Sequence, residues 1–177
     1  MLLKIKKFMD RSLEILVMIV VGVLVVDVLW GVFTRKVLGE QSVWTEEFAI
    51  FLLIWVSLLG AAVALRRGAH LGIDYFMEKL AVKNRMITEV AVFAMICIFS
   101  ISVMIIGGLD LVLSTLAMDQ RSPVWNIQMG YVYLAVPISG LFMALYSMIG
   151  FVERANEVRF KKFDESLHVS ESAAEID

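Results

Sequence analysis

FAIFLLIWVSLLGAAVAL, residues 48–65, is the stretch on which the fold turns: eighteen consecutive residues contain no acidic, basic, histidine or proline side chain. At 1.5 Å of rise per residue a helix of that length reaches about 27 Å, close to the roughly 30 Å of a bilayer's hydrocarbon core. Three further runs meet the same requirement: residues 15–33, interrupted only by Asp27, residues 90–109 and residues 129–152. Each run is continuous, whereas strands of a membrane barrel alternate polar and apolar positions over about ten residues. The predicted class is an all-α integral membrane protein with four transmembrane helices.

Composition agrees. Of 177 residues, 60% are hydrophobic, only two are prolines, and the formal net charge is -2. The mean hydropathy is +0.82, and an excess of that kind has to face lipid. Basic residues sit in short clusters between the apolar runs and form no stripe, so no nucleic acid is expected as a partner. The single cysteine, Cys97, lies inside an apolar run and belongs to no disulfide framework. Lys4, Lys6 and Lys7 precede an apolar run that continues to Phe33 and shows no Ala-x-Ala-like exit, so a retained first helix is expected instead of a cleaved leader.

Thirteen of the 16 Lys and Arg residues fall before the first run, between the second and third, or after the fourth; the other side has only Arg35, Lys36 and Arg121. The positive-inside rule then puts both termini and the middle loop in the cytoplasm. Trp30, Trp44 and Trp125 gather at the opposite interface as an aromatic belt. Residues 70–80 mix apolar and charged side chains as a short amphipathic helix lying along the cytoplasmic interface would. Residues 1–163 are thus expected to form one four-helix domain, followed by a polar, weakly ordered cytoplasmic tail over 164–177.

What is missing excludes classes. Histidine occurs only at positions 70 and 168, outside the runs, so haem cannot be held between paired helix histidines. Walker-type loops, HExxH and paired-cysteine spacings are absent, and no nucleophile stands out as a companion for His70. Neither an enzyme nor a cofactor of this chain's own is expected. Asp27 is the most suggestive residue, because an ionisable group at mid-membrane costs about 2.5–3.5 kcal/mol on insertion scales. Two roles are open to it: binding a coupling ion, or a helix-packing or subunit contact within a turn or two of Trp30 and Thr34. Glu46 and Glu47 follow Trp44 in the first turn of the second helix, where the helix dipole favours negative charge. Ser57, Gly60, Ala61 and Ala64 form a small-residue stripe of the kind that lets helices approach closely, as do Gly140, Ala144 and Ser147. Pro137 is expected to kink the fourth helix.

In this order and spacing, Trp44-x-Glu46-Glu47, Trp55, Gly60-Ala61-Ala62, Arg66-Arg67-Gly68-x-His70 and Ile73-Asp74 resemble the signature of the small membrane subunit of tripartite ATP-independent periplasmic (TRAP) transporters. Ser122-Pro123, Tyr133 and Pro137-Ile138 extend the likeness through the fourth run. The resemblance implies a bacterial inner-membrane secondary transporter in which a periplasmic binding protein delivers a carboxylate, such as a dicarboxylate or a sialic acid. A separate, large multi-helix subunit would carry the sodium ions and the substrate, and the small subunit would brace its scaffold and help dock the binding protein. On this reading Asp27, Trp44, Glu46, Glu47, Trp55, Gly60 and Ala64 are interface candidates, and Arg66, Arg67, His70 and Asp74 form a cluster at the cytoplasmic interface. The arginines also satisfy the positive-inside rule or a contact with anionic lipid without any further role. Two rival readings are an autonomous four-helix ion-coupled transporter using Asp27 and an accessory anchor for another membrane complex.

Overall fold

The computed structural model describes residues 2–39, 42–67 and 82–174, with side chains over 10–39, 42–67 and 88–156. The described residues are nearly all helical, and four stretches are long and apolar enough to cross a membrane: Asp10–Leu38, Val43–Arg66, Thr88–Ala117 and Met129–Asn156. Each overruns the apolar run that announced it, because a helix need not stop where hydrocarbon does and its flanking polar residues are good helix formers. The first span is α1 (Leu2–Phe33) prolonged by one π-helical stretch, Thr34–Leu38, and ended by Gly39 at φ 75°. That left-handed conformation is open to glycine without a steric penalty. The second span is α2 (Val43–Arg66).

The third span starts as α3 (Val82–Phe99), widens to π-helix over Ser100–Gly107, and resumes as α4 (Gly108–Ala117). Its exit is a Schellman motif with Asp119 in the left-handed region at φ 46°. The Gln120 N–H donates to Thr115 O at 3.2 Å and the Asp119 N–H to Leu116 O at 3.1 Å, which occupies two of the last carbonyls of α4. The fourth span is interrupted once, between α5 (Met129–Tyr133) and α6 (Ala135–Ala174). The break at Leu134 is the expected effect of Pro137, whose ring conflicts with the carbonyl four residues earlier, that of Tyr133. Beyond the membrane, α6 continues to Ala174. The segment after Phe163, expected to be weakly ordered, is therefore helical to that point. Its Glu, Leu and Ala residues carry helix propensity that a reading of polarity alone passes over.

The four spans stand in a row. The first packs on the second, the second on the fourth, and the fourth on the third, with no comparable packing between the first and the third. Of the most apolar stretch of each span, 6% is buried in the first and 44% in the fourth, so the fourth is central and the first is peripheral. Close approach of the third and fourth spans rests on small residues. Gly140 lies against Met104 so tightly that an added Cβ would sit 2.6 Å from the Met104 Cβ, and Gly108 does the same against Val136 and Pro137. Ala144 and Ser147 are buried on the same face of α6, so the predicted fourth-helix stripe is used within the chain. The principal core lies at the arginine-bearing end, where Leu13, Leu59, Ala62, Leu65 and Tyr146 meet, flanked by Trp55, Phe93 and Ile96. Residues 70–80, read as an interfacial helix, lie outside the described residues.

Because Met104 meets Gly140 partly through its backbone, a bulky residue there cannot be absorbed by a rotamer change. Gly140→Leu is expected to destabilise the chain by about 1–3 kcal/mol through overpacking, seen as a lower unfolding midpoint in detergent, whereas Gly22→Leu, where an added Cβ meets nothing within 4 Å, leaves the midpoint unchanged.

Candidate functional site

Polar side chains collect in three places. At the end of the row that bears Trp44, the loop between the third and fourth spans folds into a tight hairpin. An isolated antiparallel bridge joins Arg121 to Gln128, the Ser122 N–H donates to Ile127 O at 2.8 Å, and the Met129 N–H donates to Gln120 O at 2.8 Å. Asp119 accepts from Arg121 Nε at 3.0 Å and from Gln128 Nε2 at 2.8 Å. The Arg121 guanidinium and then the Gln128 amide hold its carboxyl below the ordinary value of 3.8. Pro123 opens the turn without an N–H of its own, leaving those of Val124 and Trp125 as consecutive free donors. Both are taken by one oxygen of Glu47, at 3.2 and 3.0 Å. Trp125 completes the joint: its indole N–H donates to Trp44 O at 3.2 Å, and its ring lies edge-on to Trp44 and tilted against Phe48, each at 5.8 Å between centroids. Glu47 therefore serves as an internal clamp, holding the hairpin to the start of α2.

At the opposite end, Arg66 bridges two carboxylates of α1, with Nε 3.0 Å from Asp10 Oδ1 and Nη1 donating to Glu14 Oε1 at 2.7 Å. Arg67 reaches the same Glu14 oxygen at 3.1 Å. Asp10 is 8% exposed, and the network ties the first span to the second beside the core where Tyr146 of α6 meets Leu13 and Leu59. Arg154 Nε lies 3.1 Å from Glu89 Oε2 and ties the fourth to the third. The sequence reading paired Arg66 and Arg67 with His70 and Asp74; the last two lie outside the described residues, and the two arginines are engaged by α1. Asp10 and Glu14, four residues apart and so on one helix face, were the available signal. They went unused because topology is read from Lys and Arg alone.

The third place is the cleft around Asp27, between the first and second spans. Asp27 is 5% exposed, and neither carboxylate oxygen has a hydrogen-bond partner among the described residues. The cleft, of about 170 Å³, is lined by Asp27, Val28, Gly31, Val32, Arg35, Thr45, Glu46 and Ala49. The helices close at the Trp44 end of the cleft, at Gly31, where an added Cβ would come 3.1 Å from Thr45 Oγ1. The neighbours suggested for Asp27 are occupied elsewhere. The Thr34 hydroxyl donates to Gly31 O at 3.0 Å and accepts from Ser42 Oγ at 3.2 Å, and Trp30 stacks on Phe33 at 5.9 Å. Trp55 is half-buried against the core. Gly60 faces open space, and Ser57, Ala61 and Ala64 are exposed, so the small-residue stripe of α2 brings no helix of this chain close.

These features define a multi-pass membrane protein whose polar groups join its own helices at both ends, and among the described residues no group of three or more His, Cys, Asp or Glu could hold a metal ion. The family model of the tripartite ATP-independent periplasmic transporters, DctQ component, matches residues 24–157, and the chain belongs to that family of small transporter subunits, which are not enzymes. Over 176 residues it is 27% identical to the sialic acid TRAP transporter small permease protein SiaQ of Vibrio cholerae, covering 97% of this chain and 93% of that one. It is 30% identical to the C4-dicarboxylate TRAP transporter small permease protein DctQ of Rhodobacter capsulatus over 59% of this chain and 46% of that protein. It is also 30% identical to the isethionate TRAP transporter permease protein DctMQ of Oleidesulfovibrio alaskensis over 60% of this chain, which is 17% of that much longer protein. Two motifs that carried the resemblance, Trp44-x-Glu46-Glu47 and Ser122-Pro123, are thus one physical joint.

Glu47→Ala removes the acceptor of two adjacent amides. Amide hydrogen exchange at Val124 and Trp125 is expected to accelerate about tenfold, the equivalent of roughly 1.4 kcal/mol for a partly solvated charge-assisted bond, with little change in the spans. Arg66→Gln leaves Asp10 and Glu14 without their shared cation, and a loss of about 1–3 kcal/mol is expected in the detergent unfolding midpoint at neutral pH.

Proposed function

We propose that this chain is the small membrane subunit of a sodium-coupled, binding-protein-dependent TRAP transporter that imports an organic acid. It lies in a bacterial inner membrane with both termini cytoplasmic and braces a separate large subunit. One observation carries the reading: four spans arranged in an open row, with polar groups at both ends joining those spans to one another and, among the described residues, no polar cluster around a central path. Such a row does not enclose a route for a solute, and its broad outward faces suit a neighbour in the bilayer. The names of the relatives, which transport sialic acid, C4-dicarboxylates and isethionate, support an organic anion as the substrate class. The length of the isethionate permease supports a large partner, since this chain matches only 17% of it.

Orientation follows from charge. The Arg66 network lies at the end richest in Lys and Arg and is assigned to the cytoplasm, which leaves the Glu47 hairpin and its tryptophans on the periplasmic side. The sodium and substrate sites are assigned to the large subunit, and the hairpin, rigidified by Glu47, is the surface offered to the binding protein.

The test is to tag the chain in its native host, extract it in mild detergent and determine what is recovered in fixed ratio. A many-helix membrane protein is expected, and vesicles containing this chain alone should accumulate no organic acid on a sodium gradient. Recovery of this chain alone, with uptake abolished by Asp27→Asn, would replace the proposal with an autonomous transporter.

A further inference from the structure

The second span presents one face to the outside along its whole length. Glu46, Ile50, Leu53, Ser57, Ala61 and Ala64 are all exposed, spaced three and four residues apart, and so form a single stripe. From Glu46 to Ala64 the stripe measures about 27 Å at 1.5 Å per residue, the height of one membrane-spanning helix. Its upper half is apolar and branched; its lower half is small. At Gly60, beside that lower half, an added Cβ would meet nothing within 4 Å. A helix with small residues on an outward face allows another backbone to come near, and in lipid that closeness is where packing energy is gained.

A separate observation lies at the top of the same stripe. Glu46 is also part of the cleft wall, whose rim includes Val28, Val32 and Arg35, all exposed. Within the cleft, Asp27 is 95% buried, at 5% exposure, and has no partner for either oxygen. A buried carboxylate without donors is an incomplete arrangement, and almost all such groups are satisfied in the assembled protein. Asp27 lies six residues inside Phe33, the end of its apolar run, or about 9 Å along the helix. A side chain on an adjacent transmembrane helix can reach that depth.

We infer that one transmembrane helix of the large subunit lies along the Glu46–Ala64 face of the second span and places a hydrogen-bond donor, a basic or amide side chain, on Asp27. This rests on the function proposed above and names the contact through which the bracing is exerted. Close approach at Gly60 and Ala64 fixes the distance between the two helices, and the donor on Asp27 fixes their vertical register. A polar contact in hydrocarbon suits that second role, because a slip of one turn would leave both groups unpaired.

The test uses the tagged chain co-expressed with the host's own large membrane subunit and three substitutions. Gly60→Leu fills space that nothing in this chain occupies, so the chain folds as before, which an unchanged unfolding midpoint verifies. Recovery of the large subunit is expected to fall at least tenfold for Gly60→Leu and for Asp27→Leu. It should fall less for Asp27→Asn, which keeps an acceptor oxygen, and not at all for Gly22→Leu on the first span. A photoreactive phenylalanine analogue at Leu53 or Ser57 is expected to label one transmembrane helix of the large subunit, carrying Lys, Arg, Asn or Gln at the depth of Asp27. Wild-type recovery by Gly60→Leu, an equal loss from Gly22→Leu, or labelling of phospholipid alone would overturn the inference and leave the proposed function standing. Failure of the unmodified chain to recover any large membrane protein would overturn both.

Discussion

Hydrocarbon offers no hydrogen bond, so every backbone N–H and C=O that lies within the bilayer has to be satisfied inside its own helix. That constraint settles most of this molecule. Four continuous spans follow from it, and irregular backbone is confined to their ends and to places protected by a neighbouring helix. The break at Leu134 lies where Pro137 withdraws a donor. The π-helical turns at Ser100–Gly107 run beside Gly140 of the fourth span. The tight hairpin at 119–128, with Asp119 and Asn126 both at positive φ, lies outside the membrane, where water and side chains can supply the remaining partners.

Given four helices, the polar residues at their ends decide which of them are neighbours. Arg66 with Asp10 and Glu14 joins the first span to the second, and Arg154 with Glu89 joins the third to the fourth. At the other end Glu47 fastens the connection between the third and fourth spans to the second. Small residues let the third and fourth spans approach at Gly140 and the first and second at Gly31. A row results, with the fourth span central and the outer faces of the first and third left to lipid or to another protein. A row leaves broad faces open to a neighbour in the bilayer, whereas a closed bundle would hide them.

The relation of Glu46 to Glu47 shows how adjacent residues with the same chemistry part company on a helix. A rotation of 100° per residue turns Glu47 toward the hairpin and Glu46 toward the Asp27 cleft. Grouping them as one docking feature was natural in one dimension. In three dimensions Glu47 holds this chain together, and Glu46 lies at the head of its outward face.

Much was legible in the sequence alone: four spans, the interruption of the fourth before Pro137, and a motif order shared with a family. Each depends on composition or local spacing, and hydrocarbon makes such rules strict because it penalises exceptions heavily. Tertiary structure alone decided that the spans form a row, that Arg66 meets Asp10 and Glu14 on a helix 52 or more residues earlier in the chain, and that Glu47 holds a loop 77 residues away. It also decided that the small residues of the second helix face outward while those of the fourth face inward. Both stripes have the same chemistry, and which of them is covered depends on which helix stands opposite, a relation between distant parts of the chain that no local pattern encodes.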